Sequence, residues 1–143
     1  MKKLLFVVSI LCLSWNGMAQ DQIISFAKLP VKSQNFISKY FDTSTVDYIK
    51  LDDDYFSKEY EVVLRNGTKV EFDGNGEWKE IDGKRSAIPT KLIPTTILNY
   101  VTKSFPNNQI KKIERKKRGY EIELTNGLDL IFNAKGNFVK IDD

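Results

Sequence analysis

The protein contains no histidine and only one cysteine, Cys12, among its 143 residues. Without histidine the chain cannot use Ser-His-Asp or Cys-His catalysis, cannot bind zinc through imidazole, and lacks the usual general base near neutral pH. A single cysteine cannot form a disulfide within the chain, so hydrophobic packing has to stabilise the fold. The composition supplies that packing, because 41% of the residues are hydrophobic and 12% are aromatic.

The first twenty residues have the pattern of a secretory signal peptide. Residues 1–3 form a short basic segment, and residues 4–13 form an apolar run. Gly17 and Ala19 supply small residues at the positions that signal peptidase recognises. The apolar run is shorter than the roughly 20 residues that span a membrane, and no later run approaches that length. We therefore expect cleavage near Ala19-Gln20, a periplasmic or secreted protein, and no transmembrane segment afterwards. Cleavage removes Cys12 and two lysines, which lowers the formal net charge from +3 to +1.

The remaining chain contains an internal duplication. Leu29-Pro30 returns as Ile93-Pro94 at a spacing of 64, and Tyr60-Glu61-Val62 returns as Tyr120-Glu121-Ile122 at a spacing of 60. The change of spacing corresponds to a four-residue insertion in the first copy, around residues 52–55. We therefore predict a signal peptide at 1–19, a first repeat at 20–83 and a second repeat at 84–143, with the two repeats packed as one compact body.

Each repeat is predicted to form one helix followed by four strands. The prolines at 30 and 94 suit a first helical turn, and apolar residues recur at helical spacing after both. Asn66-Gly67 and Asn126-Gly127 lie between alternating apolar and polar residues, which is typical of tight β-hairpins. The alternation indicates a sheet with one buried and one solvated face, with the helices on the buried face. The fold class is α+β, a tandem repeat of a helix plus a four-stranded antiparallel sheet. Residues 20–28 form either a further helical turn or an added strand.

These motifs resemble those of the PepSY-like, beta-lactamase-inhibitor-like family of small exported bacterial proteins. The resemblance covers essentially the whole mature chain, and its most specific part is the phrase Phe72-Asp73-Gly74-Asn75-Gly76-Glu77-Trp78 after the first Asn-Gly turn. It implies tandem repeats whose sheets form a curved surface with the helices on the other side. It implies no catalytic residues, and suggested family roles run from protein or protease inhibition to calcium-responsive functions in the envelope. In the second copy Asn133, Lys135 and Phe138 replace Asp73, Asn75 and Trp78.

Four aromatic residues are the candidate binding residues. Tyr48, Tyr55, Phe56 and Trp78 could form a contact surface on the sheet, because large aromatics bury much area at small entropic cost. For Trp78 a position in the core is an equal alternative, because the alternation along its strand does not decide which face of the sheet Trp78 lies on.

Three charged groups have structural alternatives to a functional role. The acidic residues Asp52–Asp54 and Asp73 offer oxygen ligands suited to calcium, although Asp, Asn and Gly are also ordinary turn residues. The basic run from Lys111 to Arg118 would suggest nucleic acid in a cytosolic protein, but export argues against it, and lysine on strands discourages aggregation. Carboxylate pairs such as Glu59/Glu61 and Glu121/Glu123 are expected to be solvated sheet surface rather than acid–base catalysts.

The sequence therefore predicts an exported, non-enzymatic binding or inhibitory module. Its partner would be a protein or peptide of the cell envelope, held by the sheet surface, with no nucleic acid involved and no required cofactor. The alternative is a calcium-responsive periplasmic envelope protein.

Overall fold

The computed structural model describes residues 21–142, so the predicted signal peptide lies outside the described residues. Two α-helices and nine β-strands follow one another along the chain. A short 3-10 turn precedes each helix, at Phe26–Lys28 and Thr90–Leu92. The elements are β1 (Asp21–Ile23), α1 (Val31–Tyr40), β2 (Val46–Asp53), β3 (Lys58–Leu64), β4 (Lys69–Asp73), β5 (Trp78–Asp82), α2 (Thr95–Ser104), β6 (Ile110–Lys116), β7 (Gly119–Leu124), β8 (Asp129–Asn133) and β9 (Phe138–Asp142).

The strands form one antiparallel sheet in which each strand pairs with its neighbours in sequence, from β1 to β9. The sheet is continuous through the β5–β6 pair, where Ile81 lies opposite Ile113. The α+β class is as predicted, but the expected four-stranded sheet in each half is replaced by a single nine-stranded sheet. In the segment that the sequence left open, Asp21–Ile23 form an edge strand and Phe26–Lys28 form a 3-10 turn.

One face of the sheet carries the hydrophobic core. Alternate residues along the strands form an apolar row that crosses seven strands in register, and each member is no more than 2% exposed. Helix α1 packs on this face through Phe36, whose ring meets the edge of Phe72 at 5.7 Å, and α2 packs through Tyr100, 5.6 Å from Phe132. The row consists of Ile49, Val62, Val70, Ile81, Ile113, Ile122 and Leu130.

The turn between β4 and β5 fixes the start of α1 against the sheet. Gly76 has φ +84°, and a Cβ there would lie 2.7 Å from the Cβ of Pro30. The buried hydroxyl of Ser33 donates a hydrogen bond of 3.1 Å to the Gly76 carbonyl. Only glycine allows this backbone conformation and this close approach without strain. The helix-start proline and the turn glycine of the sequence motif are therefore packing partners.

The β2–β3 hairpin is longer than its counterpart. Residues 54–57 connect β2 to β3, whereas Lys117 and Arg118 alone connect β6 to β7. Each flanking strand is also one residue longer in the first hairpin. The insertion read from the sequence therefore extends this hairpin beyond the edge of the sheet.

Candidate functional site: the open face of the sheet

The sheet face opposite the two helices, called the open face below, is built from the residues that alternate with the core. Within the described residues both helices pack against the core face, so the open face is solvated. Tyr48 lies on it opposite Val63 and is 38% exposed. Ile23 of the edge strand β1 lies opposite Lys50 on the same face and is 68% exposed. These side chains make a small apolar area at the β1 end of the open face.

Tyr55 and Phe56 form an exposed aromatic tip on the long β2–β3 hairpin. They are 95% and 92% exposed, and their rings meet edge to face at 5.2 Å. Asp54 holds the tip, because its carboxylate accepts hydrogen bonds from the backbone N–H groups of Phe56 and Ser57 at 2.8 and 2.7 Å. These bonds also lower the pKa of Asp54 below its ordinary value.

Trp78 does not share a surface with the other three predicted binding residues. It is 8% exposed and belongs to the core cluster. Its ring lies 6.3 Å from that of Phe36, and the Arg115 guanidinium sits 4.1 Å from the ring centroid on the side of β6. Of the two alternatives that the sequence left open for Trp78, the core position is the one in the structure. A cation–π contact of this kind stabilises the fold and presents no aromatic surface to a partner.

A row of five glutamates crosses the open face. Their backbone positions are directly paired from strand to strand over β3, β4, β5, β6 and β7. Directly opposite side chains in such a sheet have Cβ atoms about 4.5–5.5 Å apart, and like charges there are destabilising. The glutamate row consists of Glu61, Glu71, Glu80, Glu114 and Glu121.

Lysines on the same face offset part of this charge. Lys69 donates to Glu61 at 3.2 Å, Lys112 lies 3.4 Å from Glu80, and Lys116 contacts both Glu114 and Glu121 at 2.8 and 3.3 Å. Glu71, at the middle of the first three strands, makes no salt bridge within residues 21–142. The row is therefore neutralised at both ends and least neutralised at Glu71.

The surroundings of Glu71 shift the pKa of its carboxylate. Burial raises the pKa of Glu71 above its ordinary value, and the carboxylates of Glu80 and Glu61 raise it further, while Lys79 opposes them. Lys79 is itself paired with Glu59. The fold therefore disfavours the charged form of the Glu71 carboxylate, mainly through burial and then through its acidic neighbours.

The glutamate row opens into an acidic hollow at the β1 end of the sheet. The hollow has a volume of about 210 Å³, and five carboxylates and one lysine line it together with Tyr60. Asp21, Asp52 and Glu59 form a second line of paired acidic positions along its border. Surfaces of this kind attract positive charge. In residues 21–142 no group of three or more carboxylate or thiol side chains is arranged to hold a metal ion.

The basic run from Lys111 to Arg118 is largely occupied by ion pairs. Lys111 contacts Glu123 at 2.6 Å, Lys112 and Lys116 neutralise the glutamate row, and Arg115 lies between Trp78 and Glu77. Four of its residues therefore contribute to the ion pairs of the sheet itself. Glu59 and Glu61 are also ion-paired on an open surface, which does not give either of them the geometry of a catalytic acid or base.

Sequence reasoning missed the glutamate row. The alternation placed Glu59, Glu61, Glu121 and Glu123 on the solvated face, but it gave no register between strands. Glu80 lies opposite Glu114 only because β5 pairs with β6 across the whole of α2. A local pattern contains no signal for that pairing.

The structure defines a small α+β protein in which two helices cover one face of an antiparallel sheet and leave the other face open. A family model described as "Putative beta-lactamase-inhibitor-like, PepSY-like" matches residues 58–140. The chain belongs to this PepSY-like family, as its motifs indicated. Within residues 21–142 no helix is long and apolar enough to cross a membrane.

Solved structures from Bacteroides share the fold. A protein of Bacteroides thetaiotaomicron described as a "putative calcium-regulated periplasmic protein" is 41% identical with a TM-score of 0.82, and the match covers 86% of this chain and 97% of that one. Two proteins of Bacteroides vulgatus, both described as periplasmic, are each 38% identical, with TM-scores of 0.81 and 0.79. Those matches cover 89% and 87% of this chain and 100% of theirs. The comparison with curated proteins found no match.

Proposed function

We propose that the protein is an exported, non-enzymatic binding module that holds a positively charged segment of a peptide or protein of the cell envelope on its open face. The observation that carries this proposal is the glutamate row. Five directly paired glutamates destabilise the sheet. Departures of this kind from favourable local choices are expected at functional sites. A partner's lysine or arginine side chains would supply the missing positive charge, which favours fast association and selects against acidic partners.

The aromatic tip supports the same role. Tyr55 and Phe56 lie beyond the edge of the sheet, at the end nearest the acidic hollow, where they contribute almost nothing to the core. Exposed, rigidly held aromatics next to a charged surface are good anchors, since they bury apolar area when a partner arrives. Tyr48 would extend the contact onto the open face itself. Trp78 has no part in the proposed contact.

The test is a peptide selection against the mature chain, residues 20–143. Peptides that bind wild-type protein should be enriched in lysine and arginine and should lose binding as salt is raised. The double variant E71Q/E80Q keeps the shape of the face but removes charge from its centre, and should bind the same peptides about tenfold more weakly. The matched control E77Q removes a carboxylate from the helix side and should bind normally. Selected peptides without basic residues, or equal binding to E71Q/E80Q, would refute the proposal.

A calcium-responsive envelope role is the second candidate. It is supported by the description of the 41% identical relative as calcium-regulated and by the oxygen ligands of Asp52–Asp54. Calcium binding with weak affinity would raise the melting temperature in proportion to the logarithm of its concentration. Titration of the mature chain with millimolar calcium, and of a D52N/D53N variant beside it, tests this role. No heat and no melting shift would exclude it.

Export and duplication belong to the same proposal. Residues 1–19 act as a signal peptide, and its removal delivers the chain to the compartment in which its relatives are described. Residues 20–83 and 84–143 are two copies of one unit. The shared order of a 3-10 turn, a helix and four strands supports this reading. Mass spectrometry of the exported protein, with Gln20 as the expected first residue, tests the cleavage.

A further inference from the structure

A small apolar hollow lies on the core side of the second half of the chain, far from the open face. It has a volume of about 190 Å³ and opens between the 3-10 turn before α2, α2 itself and the start of β6. Ile88, Ile93, Val101 and Ile110 form its floor and are each no more than 5% exposed, and Leu98 forms part of a wall. An engineered apolar cavity of about 150 Å³ is large enough to bind benzene. The hollow is therefore large enough for one aromatic ring.

The residue of the first half that corresponds to the rim of the hollow is a phenylalanine. At the spacing of 64, Thr90 on the rim of the hollow corresponds to Phe26, and both open the 3-10 turn that precedes their helix. Phe26 is partly buried and packs against the core. Thr90 is too short to do the same, so the second half lacks the ring that the first half supplies.

The wall of the hollow also differs between the two halves. Gln34 of α1 donates hydrogen bonds to the carbonyls of Ala27 and Leu29, at 3.2 and 2.8 Å, and so ties the first 3-10 turn to the helix. Leu98 occupies the corresponding position of α2. Its side chain makes no such bond, because it contains no polar atom. The side chain of Leu98 instead adds apolar surface to the hollow. Both changes, from Phe26 to Thr90 and from Gln34 to Leu98, favour a space that accepts an apolar guest.

We propose that this hollow is a binding site for a single aromatic ring, seated where Phe26 packs in the first half of the chain. That ring is the phenylalanine side chain of a peptide, the same group that Phe26 places against the core in the first half. The site does not depend on the function proposed for the open face, because it lies on the other side of the sheet and contains no charged side chain.

The test uses toluene and N-acetylphenylalaninamide as probes of the mature chain, with N-acetylalaninamide as the probe that lacks a ring. Methyl NMR spectra report the site directly. Toluene should shift the methyl signals of Ile93, Leu98 and Val101, and leave those of Ile49 and Val62 unchanged. Binding of both aromatic probes supports a phenylalanine side chain as the occupant, whereas binding of toluene alone overturns that assignment. The absence of any shift with either aromatic probe at millimolar concentration overturns the proposal.

Variants distinguish the hollow from nonspecific binding. Thr90→Phe places in the second half the aromatic ring that Phe26 supplies in the first. It should raise the melting temperature and weaken toluene binding at least about tenfold. Thr95→Phe adds the same ring at an exposed position outside the hollow and should bind toluene like the wild type. If T90F does not fold, Thr90→Leu fills part of the same space and should weaken binding by a smaller factor. Unchanged toluene binding in a folded T90F or T90L variant overturns the proposal, and E71Q/E80Q should have no effect in this assay.

Discussion

Neutralising Glu71 should stabilise the protein, although removing a charged surface residue usually does little. In the variant E71Q the side chain keeps its size but loses the charge that faces Glu61 and Glu80 across the neighbouring strands. Glu71 makes no salt bridge within the described residues, and the favourable interaction that E71Q loses is the attraction of Lys79, which is already paired with Glu59. Each opposed like-charge pair costs a few tenths of a kcal/mol to about 1 kcal/mol, and E71Q relieves two of them.

The expected gain in the free energy of unfolding is therefore about 0.5–1.5 kcal/mol at neutral pH. It corresponds to a rise in melting temperature of about 3–5 °C for each kcal/mol at this chain length. The gain should depend on pH in a definite direction. Because the pKa of Glu71 is raised in the folded protein, the wild type loses stability as pH rises from the ordinary glutamate pKa through the folded value. Below that window Glu71 is protonated in both states, so E71Q and the wild type should be equally stable.

Urea unfolding of both proteins at about pH 7.5 and about pH 3.5 measures this difference. The variant E77Q is the matched control, because the Glu77 carboxylate is ion-paired with two cations. Lys32 lies 2.5 Å and Arg115 3.8 Å from its carboxylate oxygens. E77Q should be neutral or destabilised by up to about 1 kcal/mol at pH 7.5, as is usual for exposed ion pairs. A destabilised E71Q at pH 7.5, or a gain that persists at pH 3.5, would show that repulsion along the glutamate row is not what Glu71 experiences.

Three further predictions concern the aromatic residues and the helix-start turn. Trp78→Ala should cost about 3–5 kcal/mol in unfolding free energy, because it removes a core ring and the partner of Arg115, and a melting scan that matches the wild type would contradict the core assignment. Tyr55→Ala with Phe56→Ala should change stability by less than about 0.5 kcal/mol yet weaken capture of the selected peptides, and unchanged capture would remove the aromatic tip from the binding surface. Gly76→Ala should cost about 2–4 kcal/mol, since it combines a positive φ with a clash against Pro30. Gly67→Ala has the same backbone strain with open space around it and should cost only about 1 kcal/mol in the same urea unfolding assay.

The sequence was sufficient for the local elements. The two helices and the Asn-Gly hairpins follow the predicted pattern, because each depends on periodicity or on turn residues close in the chain. The resemblance to the PepSY-like family was confirmed. What the sequence could not supply was the joining of the strands into one sheet, which depends on a pairing between β5 and β6 on either side of α2.

The facing of Trp78 shows the same limit at the scale of one residue. Strict alternation along β5 would place Trp78 and Glu80 on one face and Ile81 on the other. The register instead shifts between Glu71 and Phe72, so that Phe72 pairs with Trp78 while Glu71 pairs with Glu80. This bulge brings Trp78 and Ile81 to the same buried face. One extra residue in the strand, which the alternation pattern does not reveal, therefore places Trp78 in the core rather than on the surface.

The glutamate row depends on both halves of the chain. Glu61, Glu71 and Glu80 come from the segment before α2, and Glu114 and Glu121 come from the segment after it. Joining them brings Glu80 opposite Glu114, a like-charge contact that two separate sheets would not make. The lysines that offset the row also cross this boundary, since Lys112 of β6 neutralises Glu80 of β5. The charge pattern of the open face therefore depends on the joined sheet. A partner that binds through this charge would contact both halves of the chain.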